Sequence, residues 1–349
     1  MIYRIDGFPG REIIVDGQKH LYFGGTSYLG LQTDPQFQEI LIKNIKKYGT
    51  GYGASRKSNV RFTIFEEVEN HLANLAGSES CVTMSSGYLA AQLLVRNFSS
   101  PEYKLFYAPH THSALHLVGS RPYATYTALN IALKAHLEAN RKATPVVLLD
   151  SIDFSGCNYP DFTQLKELPL SQVILIIDDS HGIGIVGDNG GGVFNELVKA
   201  EAKELIVCAS LGKAFGVQAG AVFGKKERIR TLMETDFFGG ASPATPAGLA
   251  TLLDSKNILE EKRIKLQHNI SFFLKHLKQK EGFFFMKDYP VFSFMDEDLA
   301  TYLEQRCIIT TNFSYPSDGD STKSRIVLGA QHDIDDIQVL LRQIADYKI

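Results

Sequence analysis

The sequence predicts an α/β fold: a large, mainly parallel sheet covered by helices on both faces, followed by a smaller α+β domain at the C-terminal end. Three observations carry this. From Cys81 onward short apolar runs alternate with helical stretches: "CVTM", "KLFY", "PVVLLD", "QVILIID", "ELIVCAS" and "AGAVFG". They are continuously apolar rather than alternating, so each strand is buried on both faces, the condition of a parallel strand under helices. The length, 349 residues with 44% hydrophobic and 21% charged, suits one large α/β domain plus an appendage. Beyond about residue 225 the texture changes: a long helical stretch over 247–280, short strands near 291–295, 308–311 and 325–328, then a capped helix, "DIDDIQVLLRQIADY". The expected boundaries are 1–34 for an N-terminal segment packing with the small domain, 35–230 for the large domain and 231–349 for the small one.

Taken in order, "TDPQFQEILIKNIKKYG" opens with Asp34 as N-cap and Pro35 in the first turn, and exits at Gly49. After the glycine-rich "GTGYGAS" comes "TIFEEVENHLANLAG", where Thr63 and Glu66 have capping-box spacing. Its helical stripe is Val68, His71, Leu72 and Leu75, ended by Gly77. Lys plus Arg total 36 against 39 Asp plus Glu, a balance that argues against a nucleic-acid or anionic-membrane partner. The start, "MIYRIDGFPGREII", has no signal layout and no apolar run approaches membrane-spanning length, so a cytoplasmic protein is expected. Cys81, Cys157, Cys208 and Cys307 are scattered without a CxxC, which reads as buried free thiols and no metal site.

Parallel sheets place function at the carboxyl ends of their strands. The exits here are Asp178-Asp179-Ser180-His181, Ser210-Leu211-Gly212-Lys213, Ser85-Ser86-Gly87-Tyr88 and His110-Thr111-His112. Singly, each has a plain structural reading: a turn or helix cap for the acids, core or loop positions for the histidines, a solvent-facing Lys213. Together they set carboxylate, imidazole, amine and hydroxyl at one rim. Two motifs compete. "GIGIVG" fits GxGxxG, but four residues separate it from its strand and "GDNGGG" follows instead of a helix. Gly212-Lys213 has the look of a Walker A ending, yet Ala214 stands where Ser or Thr is needed and Val207 replaces the earlier glycine. Pyridoxal phosphate explains the set better. It needs a lysine for an imine, an acid beside the ring nitrogen, a flat partner for the ring, and donors for the phosphate. "SSGY" at a strand-to-helix junction supplies those donors, and apolar neighbours depress the Lys213 amine.

The motifs "YLGL", "GTGYGASR", "SSGY", "HTHSAL", "DDSHGIG" and "SLGKAFG", in this order, resemble those of the α-oxoamine synthases, fold-type I pyridoxal-phosphate enzymes. The resemblance runs from about Tyr22 to the C-terminus and implies a seven-stranded-type α/β/α sandwich. It implies Lys213 as the imine lysine, Asp178 facing the pyridine nitrogen, His181 near the ring hydroxyl and His112 stacked on the ring. Ser86, Gly87, Tyr88 and Ser210 fall on the phosphate side. Arg325, in "SRIVLGAQH", matches the arginine that holds the amino acid carboxylate, and Ser27 stands near the family's substrate-side asparagine. The implied reaction condenses a small amino acid with an acyl-CoA thioester through a quinonoid carbanion, in a homodimer with active sites at the subunit interface; transamination and amino acid cleavage are the alternatives on the same fold. The departures concern the substrates. "YLGL" arrives at Tyr28 without the family's leading helix, Thr26 or Ser27 replaces the asparagine, and Val60 and Phe65 stand near a usual glycine and histidine, with Arg61 an added charge. In "DSIDFSGCNYP" the cofactor-side serine is displaced, with Asp153 expected in its place. Gly239, Gly240 and Ala241 occupy positions where hydroxyls reach the partner's phosphate, with Ser242 adjacent.

Overall fold

The computed structural model describes residues 2–139, 142–314 and 322–347. The chain forms two compact units, one of residues 39–213 and 217–255, the other of residues 1–38, 214–216 and 256–349. The division thus falls after Ser255 rather than at 230–231. The helix Pro246–Asp254 stays with the large unit because its Ala247, Leu249, Ala250 and Leu252 are buried there. Asn44 holds the same helix through Thr251 at 3.3 Å and Asp254 at 3.0 Å.

The N-terminal hairpin is β1 (Glu12–Val15) and β2 (Gln18–Phe23). The large unit then contributes β3 (Ser80–Met84), β4 (Tyr103–Tyr107), β5 (Thr144–Asp150), β6 (Ile174–Asp178), β7 (Glu204–Ser210) and β8 (Gly220–Gly224). All six apolar runs are strands, in the order β3-β8-β7-β6-β5-β4. β4 through β7 pair in parallel, and β8 runs antiparallel between β7 and β3. The carboxyl ends of β3, β4, β6 and β7 therefore lie on one edge. Val82, Leu148, Ile176, Ile206 and Val222 are wholly buried, as burial on both faces requires. The sheet has six strands among the described residues instead of seven. After β4 the stretch "VGSRPYAT" carries Gly119 and Pro122 and makes no strand, although Tyr123 N–H donates to the Tyr107 carbonyl at 2.9 Å.

The helix Ile64–Ala76 forms, but not with the expected capping box. Thr63 already has helical φ and ψ and makes no side-chain cap, whereas a capping residue needs extended backbone. Of its stripe, Val68 and Leu72 are buried and His71 and Leu75 half-buried; Glu69, polar, is buried as well. The helix Pro35–Tyr48 starts as expected, Asp34 accepting the Phe37 N–H at 2.9 Å.

In the small unit β9 (Phe284–Phe285), β10 (Val291–Phe294), β11 (Ile308–Ser314) and β12 (Thr322–Val327) join the hairpin in the order β1-β2-β11-β12-β10-β9. The stretch expected as one helix over 247–280 is two, because the backbone leaves helical values at Ser255 and restarts at Lys256–His276. The closing helix, Ile334–Asp346, has a true capping box from Asp333 and Asp336, and Arg11 clamps Asp336 at 2.6 and 2.8 Å. Two thiols, Cys81 and Cys208, are buried; Cys157 and Cys307 are partly exposed, a correction to the reading of all four as core residues. No helix among the described residues is long and apolar enough to cross a membrane.

Candidate active site

At the exit of β3 the backbone of Ser86 is extended and its Oγ accepts the Leu89 N–H at 3.2 Å, capping the helix Gly87–Asn97. The junction is pressed against its neighbours. A Cβ at Gly87 would fall 2.6 Å from the Ser210 Cβ, and one at Gly220 would fall 2.2 Å from the Ser86 carbonyl oxygen. Only glycine permits that approach. It brings the first turn of a helix, with its N–H groups and positive dipole end, beside the Ser210 hydroxyl. Ser210 Oγ accepts the Gly212 N–H at 3.3 Å, which leaves its own proton for another acceptor. The Tyr88 side chain is largely exposed, so its share in this cradle is backbone.

The amine of Lys213 lies 2.9 Å from His181 Nε2. Burial lowers its pKa, against the opposing pull of Asp178 and Asp150. Those carboxylates end adjacent strands in register, Asp150 opposite Asp178. Asp178 is oriented by the Ser180 N–H on its Oδ1 at 2.9 Å. Asp150 is pushed well above the ordinary carboxylate range, by burial first and the Asp178 charge second. Asp150 also accepts the His112 N–H at 3.1 Å. His112 Nδ1 accepts the Ala114 N–H at 3.1 Å, which puts the proton of the neutral ring on Nε2, and burial lowers its pKa. The strand-exit reasoning misses Asp150, although an acid ending "PVVLLD" is the signal that could find it.

One position differs from expectation. Asp153 turns into its own loop, accepting Gly156 N–H at 3.1 Å, Cys157 N–H at 3.3 Å and the Ser155 hydroxyl. It is Phe154 that reaches His181, edge to face with ring centroids 4.8 Å apart. The first glycine of GxGxxG, Gly182, and Gly192 beyond the motif pack on a carboxylate of the protein itself. A Cβ at Gly182 or Gly192 would come within 2.0 Å of an Asp179 oxygen. Asp179 accepts Ser151 Oγ–H at 2.5 Å and Val193 N–H at 3.0 Å.

Arg325 and Ser27 belong to the small unit. Arg325 sits mid-strand on β12, opposite Ser293 on β10 and Thr311 on β11. Burial lowers its pKa, and the hydroxyls of Tyr28 and Tyr289, 3.4 Å apart, act on it in the other direction. A guanidinium in so little water favours an anion. Half-buried Ser27 opens the turn in which its carbonyl accepts Gly30 N–H at 2.8 Å.

A depressed amine, a pair of carboxylates on adjacent strand ends, a half-buried imidazole and a helix-end cradle are the donor set that pyridoxal phosphate requires, and together with the sheet they define a fold-type I enzyme of that cofactor. A profile of the family "Aminotransferase class I and II" matches residues 21–344. A putative 8-amino-7-oxononanoate synthase of Trichodesmium erythraeum is 31% identical over 78% of this chain and 72% of its own. The 8-amino-7-oxononanoate synthase of Thermosipho melanesiensis is 25% identical over 98% of this chain and 92% of its own. Among solved structures, a serine palmitoyltransferase of Sphingomonas wittichii superposes with a TM-score of 0.82 at 18% identity, covering 99% of this chain and 91% of that one. The chain belongs to the aminotransferase class I and II family, in its α-oxoamine synthase group, and its cofactor is pyridoxal 5′-phosphate.

Proposed function

We propose that this enzyme condenses a small amino acid with an acyl-CoA thioester, releasing free CoA. The observation that carries the reading is the Lys213 amine, lowered by burial and held 2.9 Å from His181. An amine so placed is neutral more readily than an exposed lysine, and so is a nucleophile for an aldehyde and a base for a carbon acid.

When bound, the cofactor supplies an electron sink that weakens the bonds at the amino acid α-carbon. The rest is the work of the chain. Lys213 Nζ would hold the cofactor aldehyde and, once freed from it, would serve as the base for the α-proton. Asp178, oriented by the Ser180 N–H, would face the ring nitrogen and favour its protonated form. His112 supplies a flat, neutral face, and His181 a nitrogen for the ring hydroxyl and for Lys213. Ser86, Gly87, Tyr88 and Ser210 hold the phosphate through hydroxyls and helix-end N–H groups. Arg325 takes the amino acid carboxylate in a planar fork, with Ser27 on the substrate side. The chain pairs with a second copy in this reading.

The test is an amino acid screen on cofactor-loaded protein, followed by thiol release with a panel of acyl-CoA thioesters. One amino acid shifts the visible band, and one thioester then releases thiol. Lys213→Ala loses the lysine-linked band and on the order of 10³-fold or more of thiol release. Amino-group transfer to a keto acid with no thiol released replaces this reading with an aminotransferase.

A further inference from the structure

We infer that Phe154 is a positioning residue for the Lys213–His181 pair: its ring fixes the imidazole and keeps water from it. This rests on the reading of Lys213 as the cofactor-bearing lysine.

The first observation is the backbone. Phe154 has φ of 58°, in the left-handed region that a bulky side chain avoids. Such a conformation persists where the surroundings over-determine it, and it gathers at functional sites. Here the loop closes on itself. Asp153 binds the N–H groups of Gly156 and Cys157, and Tyr159 N–H donates to the Ser151 carbonyl at 3.2 Å. Asn158 Nδ2 donates to the Asp150 carbonyl at 2.7 Å, and its Oδ1 accepts the Tyr126 hydroxyl.

The second observation is where this strain delivers the ring. It meets the His181 imidazole at 4.8 Å between centroids and 74° between planes, while Nε2 of the same imidazole is 2.9 Å from Lys213 Nζ. A histidine side chain turns about two bonds, either of which would swing that nitrogen away, and an aromatic edge packed on the ring opposes the swing. The ring is apolar, so it also withholds the water that would solvate a charge on the amine. Among the described residues, Asp178 and Asp150, at the ends of β6 and β5, and His112 beyond β4 are titratable groups that act on or are acted on by the Lys213 amine. Phe154 leaves all of them in place.

The variant to make is Phe154→Gly, which removes the ring and relaxes the positive φ, with Phe154→Tyr retaining a ring. Both are loaded with pyridoxal phosphate, and the visible band is titrated with pH. We expect the Phe154→Gly midpoint to move up by about half a unit or more as water reaches the nitrogen, with a melting temperature close to that of the parent. Phe154→Tyr keeps the parent midpoint. A Phe154→Gly protein that loads cofactor and titrates at the parent midpoint overturns the inference, as does a Phe154→Tyr protein that titrates like the glycine variant. Should the parent itself form no band, it is the cofactor role of Lys213 that falls.

Discussion

Asp179 follows β6 with one oxygen on the Ser151 hydroxyl and the other on the Val193 N–H, and burial pushes its carboxyl up to about 7. The unfolded chain gives up this proton near pH 4, so between roughly pH 4 and pH 7 folding retains it. The group's contribution to stability is full below about pH 4 and declines as pH rises to about 7, by about 4 kcal/mol. Denaturant unfolding of Asp179→Asn at several pH values checks this: stability of the variant falls less steeply across that window than stability of the parent. The neighbouring Asp178 takes the other fate, with one oxygen on the Ser180 N–H and a place opposite Asp150 in the sheet. Both acids were visible in "DDSHGIG" as possible chemistry. Which one the protein's own glycines enclose was not, because Gly192 and Val193 reach Asp179 through a loop closure that no local spacing encodes.

At the scale of an element, the loop "GTGYGASR" is tied to the helix Ile64–Ala76 and to β3 by one buried ion pair. Arg56 meets Glu69 through its two terminal nitrogens, at 2.8 and 3.0 Å, and Glu69 also accepts the N–H and hydroxyl of Thr83 at 2.7 and 2.8 Å. The guanidinium lies 4.0 Å above the Phe65 ring. Phe65, notable in sequence only as a departure from the family pattern, is thereby accounted for as the floor of this pair. Breaking a buried pair leaves the remaining charge without compensation, so Glu69→Ala is expected to cost about 3–5 kcal/mol, read as a lower urea midpoint with an unchanged slope. Replacing both partners, Arg56→Met with Glu69→Leu, costs less than the single change. The helix itself was legible from its apolar spacing. Its polar anchor was not, since Glu69 falls among acids in "FEEVENH" and only the approach of Thr83 and Arg56 selects it.

For the whole molecule, assembly follows from the function proposed above, in which the chain pairs with a second copy. The expected mass in solution is that of a dimer, checked by light scattering across a range of concentrations; a monomer that binds cofactor fully would contradict the pairing proposed above. The amino-acid sequence determined by itself the six strands, their burial on both faces, and the amine, imidazole and carboxylate at their exits. These are local properties: an apolar run of strand length, and the residue that follows it. Only the tertiary structure decided which of Asp153 and Phe154 meets His181, that Asp150 is buried opposite Asp178, and that Gly182 and Gly192 pack on the Asp179 side chain. Each of those depends on strand register, loop closure and the exclusion of water, which arise when segments distant in the chain are brought together.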